Sequence, residues 1–203
     1  MANDEVHSPD NPGRRRFLTA TTAVVGAVGA GIAAVPFIKS WNPSARAKLA
    51  GAPTIRAIDD LAEGQQVVVM WRGQPIFIAR RNKTMLDTLP AVDALVVDPK
   101  SDNADQTPAF AKNEYRSIKP EILVLVGVCT HLGCAPEFVP EIRPMPFDAE
   151  WKGGYFCPCH KSKYDIAGRV YLAQPAPLAL PVSPYHFQDD NTVVIGVAPT
   201  GAA

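Results

Sequence analysis

The sequence predicts a mainly β, antiparallel domain carried behind one N-terminal transmembrane helix. Three observations lead there. Phe17 to Ile38 contains no charged residue. The rest of the chain holds short apolar segments of strand length, bounded by glycine, proline and polar residues. Most of the 20 prolines follow residue 89, where they favour loops and short strands over long helices. A chain of 203 residues accommodates one domain with a real core plus an appendage. Hydrophobic residues at 47% and charged residues at 20% mark it as globular rather than disordered. Twenty Lys and Arg balance 20 Asp and Glu, so nothing marks a basic face and no nucleic-acid partner is expected.

Met1 to Gly13 is polar and reads as a leader on the cytoplasmic side. Arg14-Arg15-Arg16-Phe17-Leu18 matches the twin-arginine export pattern, with Gly13 where Ser or Thr is usual. A plain basic anchor is the bland alternative. The charge-free run has 22 residues. At about 1.5 Å each it spans roughly 33 Å, about one hydrocarbon core. That exceeds the apolar region of a cleaved signal, so residues 14–38 read as a retained anchor, although Ala45-Arg46-Ala47 would pass as a cleavage site. Basic residues flank the run on both sides, and the twin arginines decide its orientation. The N-terminus is then cytoplasmic and the body periplasmic, on a single pass through a bacterial inner membrane. Residues 39–53 read as a hinge linker with a maximum reach of roughly 45 Å.

The body covers residues 54–203. Gln66–Trp71 and Pro75–Ala79 are apolar strands joined by an Arg72-Gly73-Gln74 turn. Thr84–Asp93 suggests a helix and Asp98–Gln106 a polar loop. Ile122–Val128 is a strand running into Cys129, Tyr155-Phe156 leads likewise into Cys157, and Thr192–Val197 is the last strand.

The four cysteines, Cys129, Cys134, Cys157 and Cys159, form two tight pairs, which look like a site rather than a disulfide framework. Cys129-Thr130-His131-Leu132-Gly133-Cys134 and Cys157-Pro158-Cys159-His160-Lys161-Ser162 each offer one Cys and one His at a strand end. Two such loops can clamp a metal group. A tetrahedral zinc takes two Cys and two His, and so does a [2Fe–2S] cluster, with thiolates on one iron and imidazoles on the other. Zinc leaves Cys134 and Cys159 unexplained. If the loops face each other in an oxidising compartment, these two can cross-link them.

These two segments resemble the cluster-binding loops of the Rieske family, in the subclass with an inter-loop disulfide. Trp71-Arg72-Gly73-Gln74-Pro75, Tyr164–Arg169, Gln174-Pro175-Ala176-Pro177, the anchor and the linker are similar to the iron–sulfur subunits of proteobacterial ubiquinol–cytochrome c reductases. The resemblance implies a Rieske-type β fold whose cluster-binding part lies at about 123–181. It implies one [2Fe–2S] cluster held by Cys129, His131, Cys157 and His160, and a Cys134–Cys159 disulfide. Ser162 and Tyr164 match hydroxyls that bond cluster sulfurs, which raises the potential. Pro175-Ala176-Pro177 matches the loop that covers the cluster. Leu132, Gly133 and Pro175 would surround the histidines on a docking tip. Lys161 departs from the family, which has glycine there; if that position requires φ > 0, lysine is strained. His7 falls in the leader, and His186 reads as a packing or surface histidine.

By that resemblance the chain is an oxidoreductase and translocase subunit. It would accept an electron and a proton from ubiquinol, with His160 the first proton acceptor and His131 beside it, and pass the electron to a c-type cytochrome. Its expected partners are cytochrome b and that cytochrome, in a dimeric complex, with the hinge letting the head dock at two places. Two other readings stand: the Rieske small subunit of an arsenite oxidase-like molybdoenzyme, and a zinc-stapled, non-catalytic membrane module. A Rieske oxygenase is not expected, since the chain has no room for a separate catalytic iron domain.

Overall fold

The computed structural model describes residues 11–45, 47 and 51–201. Most of the leader, His7 with it, lies outside the described residues, as do Arg46 and positions 48–50 of the linker. The chain divides into two compact units between positions 48 and 49.

The first unit is helix α1, Pro12–Ser40. Asn11 caps it by accepting the Arg14 N–H at 3.0 Å, and Pro12 sits at its first position. That cap draws Pro12 and Gly13, which composition assigned to the leader, into the helix. At its other end the Trp41 N–H reaches Ile38 O at 3.2 Å. Lys39 and Ser40, assigned to the linker, therefore close the last turn, where a cation suits the helix dipole. The helix is long and apolar enough to cross a membrane.

Among its described residues the second unit holds nine strands in three antiparallel sheets. Strands β1 (Thr54–Ala57), β9 (Thr192–Ile195) and β8 (Tyr185–Asp189) form one, in that order. Strands β2 (Gln66–Trp71), β3 (Gln74–Arg80) and β4 (Ile122–Val126) form another. Strands β5 (Glu137–Val139), β6 (Gly154–Phe156) and β7 (Lys163–Asp165) form the last. The core centres on Ile76, Ile78, Leu123 and Leu125 of β3 and β4, with Tyr155 of β6 stacked on Phe77 at 5.9 Å.

The β2–β3 turn is shorter than expected. Gln74 pairs with Trp71, leaving only Arg72 and Gly73 at φ 51° and 75°. Positive φ at both positions is the type I′ requirement that matches strand twist. Strand β4 ends at Val126: the Gly127 N–H still reaches Pro75 O of β3 at 2.8 Å, but Pro75 has no N–H to return a bond, so the paired ladder goes no further.

The expected helix over 84–93 is corrected. It is broken into α2 (Lys83–Leu86) and α3 (Leu89–Val92), followed by a 3-10 turn at Asp93–Leu95. Pro90 has no N–H and its ring would strike the carbonyl four residues back, so one helix cannot run through.

Three fully buried arginines tie distant loops to the turn after β7, behind the cysteine loops. Arg81 donates to Ile166 O at 3.2 Å, Ser117 Oγ at 2.9 Å and Pro120 O at 2.5 Å. Arg116 donates to Thr107 Oγ1 and to the carbonyls of Gln106, Ala167 and Leu180. Arg169 pairs with Asp165 at 2.6 Å and Asp93 at 2.7 Å.

Candidate metal centre

Two loops of one design carry the site. The first follows β4, and the second joins β6 to β7. In the first, the Cys129 N–H donates to Cys134 O at 2.7 Å and the Gly133 N–H to Cys129 O at 3.0 Å. In the second, the Cys157 N–H donates to Ser162 O at 2.8 Å and the Lys161 N–H to Cys157 O at 2.9 Å. Each loop thus folds back on its own cysteine, placing that thiol inward and the following residues outward.

A disulfide joins Cys134 to Cys159, with Cα atoms 6.7 Å apart. Cys129 and Cys157 remain free and are almost fully buried. The sulfurs of Cys134, Cys157 and Cys159 lie within 4.8 Å of one another. The disulfide uses two of these, so that trio is not itself a thiolate site. The His131 and His160 rings meet edge-to-face at 4.6 Å between centroids. His160 is exposed and His131 half-buried, and His131 Nδ1 is buried with no hydrogen-bond partner.

The donor set therefore fits a group needing two thiolates inside and two imidazoles outside. An orphaned imidazole nitrogen is a group awaiting a ligand. Burial, then the neighbouring Cys129, pushes the Cys157 thiol above its ordinary pKa; a metal there displaces a proton that the protein alone would keep.

One hydroxyl contacts a thiol, and a second lies on the other loop. Tyr164 Oη lies 3.1 Å from Cys129 Sγ. Burial, followed by that contact, raises the Tyr164 pKa, so the phenol keeps a proton that it can offer to a thiolate. Ser162 Oγ accepts the Ala176 N–H at 3.0 Å, which leaves its own proton to donate. The same bond ties down Ala176, buried between the exposed Pro175 and Pro177. Gln174 Oε1 accepts the Lys163 N–H at 3.1 Å. Leu132, at 71% exposed, projects from the first loop, and Gly133 is exposed beside it.

Lys161 takes φ 64°, the left-handed backbone on which its strain was conditional. His186 bonds Val197 O through Nδ1 at 3.1 Å, outside the site. Sequence reasoning missed Thr130, whose hydroxyl donates to Leu178 O at 2.6 Å and binds the first loop to the segment after Pro177. It also missed the three arginines, since a lone Arg carries no sequence mark of burial.

The family described as Rieske [2Fe-2S] domain matches residues 52–184. The segment described as Ubiquitinol-cytochrome C reductase Fe-S subunit TAT signal matches residues 5–44, which includes the twin arginines. The ubiquinol-cytochrome c reductase iron-sulfur subunit of Allochromatium vinosum is 49% identical over 186 residues, 92% of this chain and 89% of that protein. Its namesake from Rhodospirillum rubrum is 45% identical over 202 residues, 97% of this chain and 100% of that one. The Bradyrhizobium diazoefficiens protein of the same name is 42% identical, covering 93% and 97%.

Proposed function

The chain belongs to the Rieske [2Fe–2S] family, among the iron–sulfur subunits of ubiquinol–cytochrome c reductase, and from that premise we propose how its residues serve the reaction. Its cofactor is a [2Fe–2S] cluster. Cys129 and Cys157 would hold one iron, and His131 and His160 the outer one. The observation that carries this reading is the pairing of two buried free thiols with two touching imidazoles, on loops locked by a disulfide.

When bound, such a cluster supplies a one-electron couple whose potential is raised by imidazole ligation. Tyr164 and Ser162 direct O–H donors at its sulfurs and favour the more negative state. His160, exposed on the tip, would take the hydroxyl proton of ubiquinol, with His131 beside it. The disulfide and the Pro175–Pro177 cover keep water from the inner thiolates, while Leu132, Gly133 and Pro175 form the docking rim. The subunit thus accepts an electron and a proton from ubiquinol and delivers the electron to the c-type cytochrome of its complex.

The remaining assignments rest on sequence. Residues 1–11 are a cytoplasmic leader, the apolar stretch of α1 the inner-membrane anchor, 41–53 the tether and 54–203 the periplasmic head. Cytochrome b and the c-type cytochrome are the partners, in a dimeric complex. The relatives do not favour the arsenite oxidase-like alternative. A zinc module would use the same four donors, and the family match does not favour it.

EPR of the dithionite-reduced protein, with iron and acid-labile sulfide assays, tests the assignment. The expected result is a rhombic signal of mixed His/Cys ligation with two irons and two sulfides. Zinc in their place, or a signal unchanged in both His131→Cys and His160→Cys, would overturn it.

A further inference from the structure

Lys161 is a side chain that the reaction does not use and the backbone does not favour. It lies between His160 and Ser162, is exposed, and holds φ 64°. Left-handed backbone is disfavoured for a residue with a Cβ relative to the right-handed form. A strained residue that persists beside a functional site invites a reason in its side chain.

The charges around it supply one. Lys83, Lys112, Lys119, Lys152 and Lys163 each have a carboxylate partner within 4.0 Å. Among the described residues of the head Lys100 and Lys161 have none, and of these two only Lys161 lies in a cysteine loop. The segments Cys129–Ala135, Cys157–Ser162 and Leu172–Ala179, which build the loops and their cover, contain no Asp, Glu or Arg and no other Lys. From Thr54 to Ala203 the sequence holds 14 Lys and Arg against 17 Asp and Glu, a balance of −3. An acidic head thus carries one unpaired cation on its apolar, histidine-bearing tip. Such asymmetry turns the tip toward a negative surface during encounter through water.

Resting on the reading above, we propose that Lys161 is the electrostatic contact by which the tip recognises the c-type cytochrome, its ammonium meeting a carboxylate on the rim of the cytochrome's docking surface. Ubiquinol is neutral and offers no counter-charge. The cytochrome is reached through the aqueous phase, where steering operates. In the free head the exposed ammonium is screened by water and acts weakly on the cluster; at a docked interface, with water excluded, the same charge acts strongly.

Zero-length carbodiimide coupling in the intact complex, mapped by mass spectrometry, tests this on samples first shown by EPR to hold the cluster. The expected product is an amide between Lys161 and an Asp or Glu of the c-type cytochrome subunit. It should be suppressed near 1 M salt, where the screening length is about 3 Å. In stopped-flow experiments Lys161→Gln should slow electron delivery to that cytochrome about two- to five-fold at low salt. Lys161→Arg should keep the wild-type rate, and both variants should keep the wild-type midpoint potential. A Lys161 coupled only to another subunit, or coupled to none, overturns the proposal. So does a Lys161→Gln variant whose midpoint moves while the salt dependence of its rate does not. Samples lacking the EPR signal would instead overturn the cofactor reading on which it rests.

Discussion

Gly133 and Lys161 hold equivalent positions in the two loops. Each lies four residues beyond its loop's cysteine, donates its N–H to that cysteine's carbonyl at 3.0 and 2.9 Å, and has positive φ, 86° and 64°. The fold imposes one backbone requirement twice. Glycine meets it without penalty, and lysine does not.

Exchanging the two residue types should therefore give opposite signs. Gly133→Ala should cost about 1 kcal/mol through φ alone, because nothing lies within 4 Å of the added Cβ. Lys161→Gly should stabilise by a similar amount, less what glycine's freedom in the unfolded chain returns. Denaturant unfolding of the cluster-loaded head measures both. Equal midpoints for Gly133→Ala and wild type would sink the equivalence.

The two hydroxyls should act on the midpoint potential separately. Tyr164→Phe removes the donor 3.1 Å from Cys129 Sγ. Ser162→Ala removes a free O–H and the acceptor of the Ala176 N–H. A hydrogen bond to a charged group is worth about 1.5–3 kcal/mol, and about 59 mV corresponds to 1.4 kcal/mol for one electron. Each variant should fall by tens of millivolts in a redox titration, and Ser162→Ala should also loosen the cover. Two unmoved midpoints would refute the donor roles.

The parts of this molecule that were legible in its sequence are those written in local pattern. The anchor is a charge-free run, β2, β3 and β4 are apolar runs of strand length, and the loops carry Cys and His within four residues of one another. Three-residue strands such as β5 and β7 show no periodicity to read. The buried arginines were invisible because their partners are distant carbonyls: Arg81 reaches 85 positions along the chain to Ile166, and Arg116 reaches 64 to Leu180. Those bonds set where Tyr164 and its hairpin sit, so the site's ligands are local in sequence while its scaffold is not.

Removing the disulfide should weaken cluster retention before it alters ligation. The bridge spans a separation of 25 residues, for which loop entropy gives about 3–4 kcal/mol. The clean variant is Cys134→Ser with Cys159→Ser together, since either single change leaves a free thiol close to Cys157. The double variant should bleach at lower denaturant and titrate at a lower midpoint. Free thiols at both positions in the exported wild-type protein would contradict this.

Alkaline pH should destabilise the head. Burial pushes Tyr185 up to about 12 and Tyr171 also well above the ordinary tyrosine value. Unfolded tyrosines release protons near 10, while these folded ones retain them. Above about pH 10 the unfolded state binds fewer protons, and stability falls as pH rises through the folded values. Arg81 and Arg116, drawn down to about 10 by burial, pull the other way. Each, however, donates to three or more acceptors that hold its protons, so the tyrosines decide the sign. Unfolding midpoints measured from pH 7 to 11.5 should be flat and then decline, less steeply in Tyr185→Phe. A rise above pH 10 would show that the arginines dominate.

Asp165 should be the most sensitive position outside the loops. Its Oδ1 accepts the N–H groups of Ala167 and Arg169 at 2.9 and 2.8 Å, and its Oδ2 accepts Arg169 Nε at 2.6 Å. Both side chains are almost fully buried. Burial works against the Arg169 charge, but Asp165 and Asp93 outweigh it and raise its pKa. Asp165→Asn keeps the shape and the turn's acceptor while removing the charge. Arg169 would then face only Asp93, whose side chain is 50% exposed. Breaking one side of a buried pair costs about 3–5 kcal/mol. The loss should extend to the site, because Asp165 follows Tyr164 on β7, and a slack turn no longer holds that hydroxyl against Cys129. Denaturant unfolding should show the stability loss and a redox titration a lower midpoint, in the direction of Tyr164→Phe. A full stability loss with an unchanged midpoint would separate the turn from the site. A loss below about 1 kcal/mol would mean that Asp93 and the carbonyls of Leu89 and Pro99 hold Arg169 by themselves.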